Sequence, residues 1–301
     1  MKRIVIFLTA AVLLTACGMS HEERQRQHRE QQRQLAREDS AALKVAVVPT
    51  LDCLPVMVAK ELQLFDTLGI DVRPKLFKAQ MDCDTALVGG SVEGAVTDLV
   101  RAERMKQKGT SLRYVAATGA YWQLLSGHHA RIRQLKQLDD KMVAMTRYSA
   151  TDLLTDVAVD SAKLKTERVF RIQVNDVGLR LRMMLNGAMD ALFLPEPQAT
   201  QARLAKSVVL MDSRNMDYRL GVIAFREKAL KNKDRQRQLE LFLKAYDQAC
   251  DTITRYGMGY FAELIERYCD VDRRVVDSLP ENFEFPHAVP PREKDIERLR
   301  K

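Results

Sequence analysis

The sequence predicts a two-lobed α/β protein. Each lobe is a mostly parallel sheet flanked by helices, and a helical C-terminal segment packs on the first lobe. Three observations predict it: strands alternate with helices from residue 43, the alternation restarts at residue 142, and almost no strand pattern follows residue 226. Such alternation forms parallel βαβ units with right-handed crossovers. Because the last segment has no strands of its own, it must pack on a lobe.

The predicted strands are short apolar or alternating runs that end at proline, glycine or polar residues. The first is typical, because it is a continuous β-branched run that stops at Pro49. In the first lobe we predict strands at 43–48, 70–77, 94–97 and 112–118. In the second part of the chain we predict strands at 142–146, 168–174, 191–194, 208–211 and 219–225.

The predicted helices carry apolar residues at helical spacing. In the helix 55–65, Val58, Leu62 and Phe65 share one face, and Gly69 follows as a stop. Further helices are predicted at 82–88, 99–108, 150–161, 176–185, 196–205 and over most of the chain after 226. These elements assign residues 41–120 and 226–301 to the first lobe and residues 121–225 to the second.

Composition excludes several classes of protein. With 46% hydrophobic and 29% charged residues over 301 positions, the chain is too apolar for disorder and too mixed for a coiled coil. The net charge of +8 is not concentrated in a long run of Lys and Arg, and Trp122 is the single tryptophan. We therefore do not expect a nucleic-acid partner.

The N-terminus predicts export and a lipid anchor. Lys2 and Arg3 precede an apolar run over 4–14 that ends in small residues, as in a secretory signal. The run is shorter than the roughly 20 residues of a membrane span. Residues 14–17 (LTAC) resemble the bacterial lipobox, in which the cysteine receives a lipid. We therefore expect a signal peptide over 1–17 with Cys17 lipidated, the alternative being an ordinary signal peptide.

Residues 18–40 predict a polar tether between the anchor and the fold. The segment contains five Gln, five Arg and five acidic residues, with one Leu and no Phe, Trp or Tyr. Such a segment buries too little apolar surface to order itself alone, the alternative being a solvated helix with Glu/Arg pairs. The fold is therefore expected to start near Ala41.

Several motifs occur in the order typical of one family. They are VPTLDCLP at 48–55 with GIDV at 69–72, Asp82 and Ala86 followed by GAVTD at 94–98, LNGAMDA at 185–191, and LPEPQA at 194–199. Over about residues 43–257 the chain resembles the nitrate/sulfonate/taurine and thiamine-precursor group of ABC-importer substrate-binding proteins. The resemblance implies a type II periplasmic-binding-protein-like fold. Cys53 departs from the pattern, because members often carry an aromatic residue there.

The resemblance also implies a function. It implies a monomeric lipoprotein outside the cytoplasmic membrane that captures a small organic solute and delivers it to an ABC permease and its ATPase. The chain has no Walker loop, so it is not itself the ATPase. We expect no catalytic residue, cofactor or metal. Two alternatives remain: an enzyme on the same fold, of the pyrimidine-precursor or menaquinone-pathway type, and a ligand-sensing lipoprotein without a transport partner.

Candidate ligand-binding residues follow the predicted strands, because ligands bind beyond the carboxyl ends of strands in open α/β sheets. In the first lobe and at the first crossing they are Thr50, Asp52, Cys53, Asp82, Asp98, Tyr121 and Trp122. In the second lobe they are Tyr148, Ser149, Ala150, Thr151, Asn175 and Glu196. The hydroxyls at 149 and 151 with backbone N–H groups could cradle an oxyanion, although several of these polar residues could equally be helix caps. We expect the loops at 52 and 149 to share one cleft.

Three of these candidates are carboxylates of the first lobe: Asp52, Asp82 and Asp98. Neighbouring carboxylates repel unless a cation or protonation relieves them. They therefore predict a ligand with a cationic or hydrogen-bond-donating part, such as an amine-bearing heterocycle. The prediction lapses if all three only cap helices.

Four cysteines remain besides Cys17, and export makes disulfides possible. Cys53 and Cys83 follow the first two strands and form one candidate pair. Cys250 and Cys269 flank the helical break at 257–259 and form the other. No CxxC or HxxxH spacing occurs, so metal binding is the weaker use of these thiols.

Overall fold

The computed structural model of the chain describes residues 21–300. The predicted signal peptide and the predicted lipidation site at Cys17 lie outside this range. The chain divides into two compact units after Ala42. No helix within the described range is both long enough and apolar enough to cross a membrane.

The first unit contains the helix α1, His21–Ala41. This segment was predicted to be a polar tether, with a solvated helix as the alternative, and it forms a regular helix with no buried residue. Its composition explains this, because Gln, Arg and Glu are good helix formers and pair at a spacing of four. In one such pair, Arg29 Nη2 donates to Gln25 Oε1 at 3.2 Å. Its role as a tether stays a prediction.

The second unit contains all the strands of the described chain. The strands are β1 (Leu43–Val47), β2 (Val72–Leu76), β3 (Gly94–Asp98), β4 (Leu112–Ala117), β5 (Gln123–Ser126), β6 (Lys141–Met145), β7 (Val169–Gln173), β8 (Ala191–Leu194), β9 (Val208–Asp212) and β10 (Gly221–Arg226).

Helices separate most of these strands and make up nearly all of the C-terminal segment. They are α2 (Leu54–Glu61), α3 (Leu64–Thr67), α4 (Gln80–Gly89), α5 (Leu99–Gln107), α6 (Ala150–Ser161), α7 (Val177–Leu185), α8 (Gln198–Leu204), α9 (Lys233–Tyr256), α10 (Ala262–Cys269), α11 (Arg273–Val276) and α12 (Glu293–Arg300).

The strands form two five-stranded sheets with equivalent topology. The first has the order β2-β1-β3-β10-β4 and the second the order β7-β6-β8-β5-β9. In each sheet one strand runs antiparallel to both of its neighbours, β10 in the first and β5 in the second, and the other pairs are parallel. The predicted two-lobed α/β fold is confirmed.

The strand predictions were wrong for the two antiparallel strands, since β10 was assigned to the other lobe and β5 was missed. We assigned residues 219–225 to the second lobe, but β10 pairs with β3 and β4 of the first sheet. The strand β5 was not predicted at all. Both follow a crossing between the sheets, and an apolar run does not by itself encode which sheet it pairs with. The second crossing therefore lies before Gly221, between β9 and β10.

Small residues keep the two crossings close together. A Cβ at Gly119 would collide with the backbone carbonyl oxygen of Glu284, and a Cβ at Gly221 would collide with the Thr118 hydroxyl. The backbone N–H of Thr118 donates to the carbonyl of Gly221 at 3.0 Å, which joins the first crossing to the second. Two closely spaced chain segments therefore connect the lobes, as in a hinge.

The first lobe has one continuous core, which includes the C-terminal helices. Phe242 of α9 stacks on Phe65 with 5.6 Å between ring centroids and lies edge-on to Phe225 at 5.7 Å. The second lobe has a separate cluster on each face of its sheet, because neighbouring residues of a strand point to opposite faces. Leu124 and Leu125 of β5, for example, belong to different clusters.

Neither predicted disulfide is formed, so both predicted pairings are wrong. Four buried cysteines are free thiols: Cys53, Cys83, Cys250 and Cys269. Their sulfur atoms face other partners, since Cys83 Sγ lies 3.9 Å from the carbonyl oxygen of Val47 and Cys250 Sγ lies 3.5 Å from that of Pro286. Burial raises the pKa of Cys83 and of Cys250 to about 12, so both are protonated at neutral pH.

Candidate ligand-binding site

A cleft lies between the two sheets, beyond the carboxyl ends of their central strands. Asp52 lines it after β1, and Ser149 lines it after β6, so the two loops share one cleft. The cavity volume is about 60 Å³, enough for only a few water molecules. The lobes are therefore closed on each other in this structure.

Direct contacts between the lobes maintain the closed arrangement. Asp98 is the last residue of the first-lobe strand β3, and its Oδ1 accepts a hydrogen bond from the backbone N–H of Ala150 of the second lobe at 3.0 Å. Nearer the solvent, the Arg104 guanidinium carbon lies 3.2 Å from the centroid of the Tyr148 ring, a cation–π contact. The inter-lobe contacts thus include a buried hydrogen bond and an exposed cation–π contact.

About half of the predicted site residues line this cleft. Those that do are Thr50, Asp52, Asp98, Trp122, Ser149, Thr151 and Asn175. Those that lie outside its lining are Cys53, Asp82, Tyr121, Tyr148, Ala150 and Glu196.

Each residue outside the lining has another environment. Cys53 is completely buried in the core of the first lobe. Asp82 is exposed in the first turn of α4, so only two of the three predicted carboxylates reach the cleft. Ala150 contributes only its backbone N–H, which Asp98 accepts. Tyr148 is 51% exposed at the edge of the lobes.

Glu196 and Tyr121 belong to a buried network beside the crossings. Glu196 Oε1 accepts from the Tyr121 hydroxyl at 2.9 Å and pairs with Arg203 at 2.8 Å. Its Oε2 accepts from the backbone N–H of Thr200 at 2.9 Å, and its carbonyl accepts from the Leu51 N–H at 2.9 Å. Glu196 therefore fixes the start of α8 through its carboxylate and contacts the first lobe through its backbone carbonyl.

The predicted oxyanion cradle is already occupied by groups of the protein itself. Ser149 Oγ accepts from the Thr151 N–H at 3.1 Å and donates to the Thr146 carbonyl at 2.7 Å. Thr151 Oγ1 accepts from the Thr146 N–H at 3.0 Å. Because Asp98 also takes the Ala150 N–H, the carboxylate of the first lobe fills the start of α6 where a ligand anion was expected.

The two carboxylates of the cleft are costly to ionise. Asp52 accepts from the hydroxyls of Thr50 at 2.6 Å and Thr118 at 3.4 Å, and burial still raises its pKa. Asp98 caps α5 by accepting from the Arg101 N–H at 3.0 Å. Burial raises the pKa of Asp98 to about 7, against the lowering effect of the Arg101 charge.

Arg180 of α7 was not predicted and lines the second-lobe side of the cleft. It is 2% exposed, and its guanidinium donates to the carbonyls of Val174 and Phe193 at 2.7 Å and to Thr146 Oγ1 at 2.6 Å. All three acceptors are neutral. Burial and, to a smaller extent, the charge of Arg101 lower its pKa to about 10, so it remains charged at neutral pH.

Arg101 and Thr97 line the first-lobe side and were also missed. Arg101 is 3% exposed and forms an ion pair with Asp84. Among the described residues its Nε has no hydrogen-bond partner, and neither has Thr97 Oγ1. Both are therefore buried polar atoms without a partner in the closed cleft.

The sequence contained a signal for both arginines. Arg101 lies three residues after the capping Asp98, in the first turn that faces the carboxyl end of β3. Arg180 lies on the apolar face of α7 with Val177 and Leu181, where a charged residue needs a buried partner or a ligand.

The comparisons with known proteins agree with this architecture. The model of the NMT1-like family matches residues 36–259, which is most of the chain. The chain belongs to the NMT1-like family. No curated protein matches the sequence.

Solved structures with the same fold include several binding proteins. The alkanesulfonate-binding protein SsuA from Xanthomonas axonopodis pv. citri, bound to MOPS, has a TM-score of 0.73 at 16% identity, covering 86% of this chain and 90% of that one. A ligand-binding component of an ABC-type import system from Staphylococcus aureus, with zinc bound, has a TM-score of 0.71 at 16% identity, with 86% and 89% covered. The nitrate-binding protein NrtA from Synechocystis PCC 6803 has 0.69 at 14%, with 78% and 68% covered.

These neighbours confirm the resemblance that the sequence motifs indicated. At such identities they establish the fold of this NMT1-like family member and not its ligand. The chemistry of the ligand has to be argued from the residues of the cleft.

Proposed function

We propose that this NMT1-like family member is the substrate-binding protein of an ABC importer. It captures a small organic solute of the nitrate/sulfonate/taurine or thiamine-precursor class between its lobes and delivers it to the permease. The observation that carries the proposal is the closed cleft, to which both lobes contribute buried polar side chains. Ligand contacts from both sides favour the closed state, which a permease can distinguish from the open one.

The cellular setting belongs to the same proposal. We propose a monomer held at a bacterial membrane, outside the cytoplasm, by a lipid on Cys17. The signal pattern over residues 1–17 supports it. Partners would be the permease and its ATPase.

A binding role is favoured over an enzyme on the same fold. Burial raises the pKa of the Cys53 thiol beside the cleft well above its ordinary value, so it does not provide a thiolate nucleophile at neutral pH.

The single tryptophan gives a direct test. Trp122 lines the cleft and is half-buried, so its fluorescence reports occupation without a label. We expect native mass spectrometry of purified residues 18–301 to detect a co-purified solute. The same solute should change the Trp122 emission in a saturable way and be recovered unchanged.

The control is Trp122→Phe, which should keep the solute and lose the signal. Conversion of the solute to a product would favour the enzyme. Absence of any bound solute from both measurements would contradict the proposal, and loss of uptake on deleting the gene would separate an importer from a sensor.

A further inference from the structure

We infer that Arg101 of the first lobe and Arg180 of the second form a pair of guanidinium groups that holds an anionic group of the solute between the lobes, with Thr97 as an additional hydrogen-bonding partner. The inference rests on the proposed function, because it concerns the solute of that same cleft. It identifies which end of the solute the closed cleft recognises.

The first argument is the position of two like charges. Both arginines line the same cleft from opposite lobes, and both are at least 97% buried. They are close enough that the charge of Arg101 lowers the pKa of Arg180, against the opposite effect of Asp176. Asp84 pairs with Arg101, but the acceptors of Arg180 are all neutral, so an anion between the two arginines would compensate the buried charge of Arg180.

The second argument is the unused hydrogen-bonding capacity. Arg101 Nη2 forms the ion pair with Asp84, whereas the Nε–H of Arg101 has no acceptor among the described residues. Thr97 Oγ1, also buried in the lining, has no partner either. A buried polar group without a partner is destabilising, so two in one cleft indicate a missing acceptor that a ligand supplies.

The nearby carboxylates leave the charge of Arg180 without an ionic partner among the described residues. Asp84 is committed to Arg101, and Asp98 is committed to the starts of α5 and α6. Burial raises the pKa of both carboxyl groups and of Asp52, whereas the Arg180 guanidinium, with a pKa of about 10, stays charged at neutral pH. The charges of these groups favour an anionic ligand. This is contrary to the amine-bearing ligand that the sequence predicted from three carboxylates.

The assigned subsite also differs from the predicted oxyanion cradle at the start of α6. There the hydroxyls and N–H groups are satisfied by Thr146 and Asp98. The groups left for a ligand lie instead at the carboxyl end of β3 and in the first turn of α5.

A matched pair of small probes tests the inference: methanesulfonate and methylammonium, which have the same methyl group and opposite charge. Binding to residues 18–301 is followed through Trp122 fluorescence and, independently, by isothermal titration calorimetry at neutral pH. We expect saturable binding of methanesulfonate and at least about 10-fold weaker binding of methylammonium.

Variants identify the residues. Arg101→Lys keeps the charge and removes the Nε–H, and Thr97→Val removes the unpartnered hydroxyl at nearly constant shape. We expect each to weaken methanesulfonate binding, Arg101→Lys by about 10-fold or more and Thr97→Val by a few fold. Arg113→Lys, on the exposed side of β4, is the control and should bind like the wild type.

The outcomes separate this inference from the proposed function. If the protein co-purifies with a solute but binds methylammonium as well as methanesulfonate, or if Arg101→Lys and Thr97→Val bind methanesulfonate like the control, the guanidinium pair is wrong and the importer proposal stands. Failure of the wild type to bind methanesulfonate at millimolar concentration also overturns the pair. Absence of any solute in native mass spectrometry counts against the importer itself.

Discussion

The two walls of the cleft differ in how completely their polar groups are partnered. In the second lobe, Ser149, Thr151 and Arg180 all form hydrogen bonds within the protein. In the first lobe, Thr97 Oγ1 and Arg101 Nε have no partner among the described residues. The fold itself therefore fixes the polar groups of the second wall, including the guanidinium of Arg180, before a ligand binds, whereas the first wall retains groups that only a ligand can satisfy.

This difference separates two consequences of mutation. Changing a fully partnered residue leaves its former partners without a hydrogen bond, so it should reduce the free energy of unfolding. Changing an unpartnered residue removes a group that the closed protein does not use, so it should affect binding and not folding. Four substitutions test this comparison without any ligand.

The largest effect is expected for Arg180→Met. Methionine fills much of the volume but leaves the carbonyls of Val174 and Phe193 and the hydroxyl of Thr146 without their buried donor. We expect the free energy of unfolding to fall by about 3 kcal/mol or more. Urea denaturation would measure it, with Arg182→Met, an exposed position of the same helix, as the control. A loss equal to that of the control would show that the second wall is not structural.

Asp98 connects the two walls, and its protonation should make stability depend on pH. Burial raises its pKa to about 7, so between about pH 4 and 7 the unfolded chain releases this proton while the folded protein retains it. The free energy of unfolding therefore decreases as pH rises through this range and levels off above it. Asp98→Asn keeps an oxygen acceptor for the Arg101 and Ala150 N–H groups and cannot titrate.

The measurement for Asp98 is urea denaturation of both proteins at several pH values. Relative to Asp98→Asn, the wild type should lose on the order of 2–4 kcal/mol between about pH 4 and 8. Asp52 and Asp84 are present in both proteins, so their own titration is removed when the free energies of unfolding of the two proteins are subtracted. Parallel pH profiles would mean that Asp98 does not retain its proton in the closed cleft.

Most of the fold could be predicted from the sequence, because local patterns determine its elements. The run at β1 and the capped helix α6 carry their own strand and helix signals, and their order implies two βαβ lobes. The placement of β10 could not be predicted, since its pairing with β3 and β4 depends on the path of the chain across the hinge. The short strand β5 could not be predicted for the same reason, because its pairing also depends on the path of the chain across the hinge.

The candidate site was less predictable for a related reason. The loops after strands identify which side chains reach the cleft, and Asp52 and Ser149 do reach it. The sequence does not show which of these groups are already partnered. That Ser149 is satisfied by Thr146, and that Arg101 keeps an unused Nε–H, depends on atoms from several segments.

A smaller effect is expected for Ser149→Ala in the second wall. Ser149 caps α6 through Thr151 and also donates to Thr146, so its hydroxyl contributes to folding without any ligand. We expect a loss of about 1 kcal/mol in the free energy of unfolding. Ser161→Ala, exposed at the other end of α6, should be close to neutral and serves as the control. A neutral Ser149→Ala would place this hydroxyl with the ligand groups instead.

The smallest effect is expected for Thr97→Val, the counterpart in the first wall. The Thr97 hydroxyl is buried and has no partner in the described chain, so valine loses no hydrogen bond and places a methyl group at the end of β3. Valine also has a high β propensity. In ligand-free protein we expect the free energy of unfolding to change by less than about 0.5 kcal/mol, or to increase. A loss of about 1 kcal/mol or more in urea denaturation would mean that the hydroxyl has an internal partner, and the distinction between the two walls would fail at its most sensitive position.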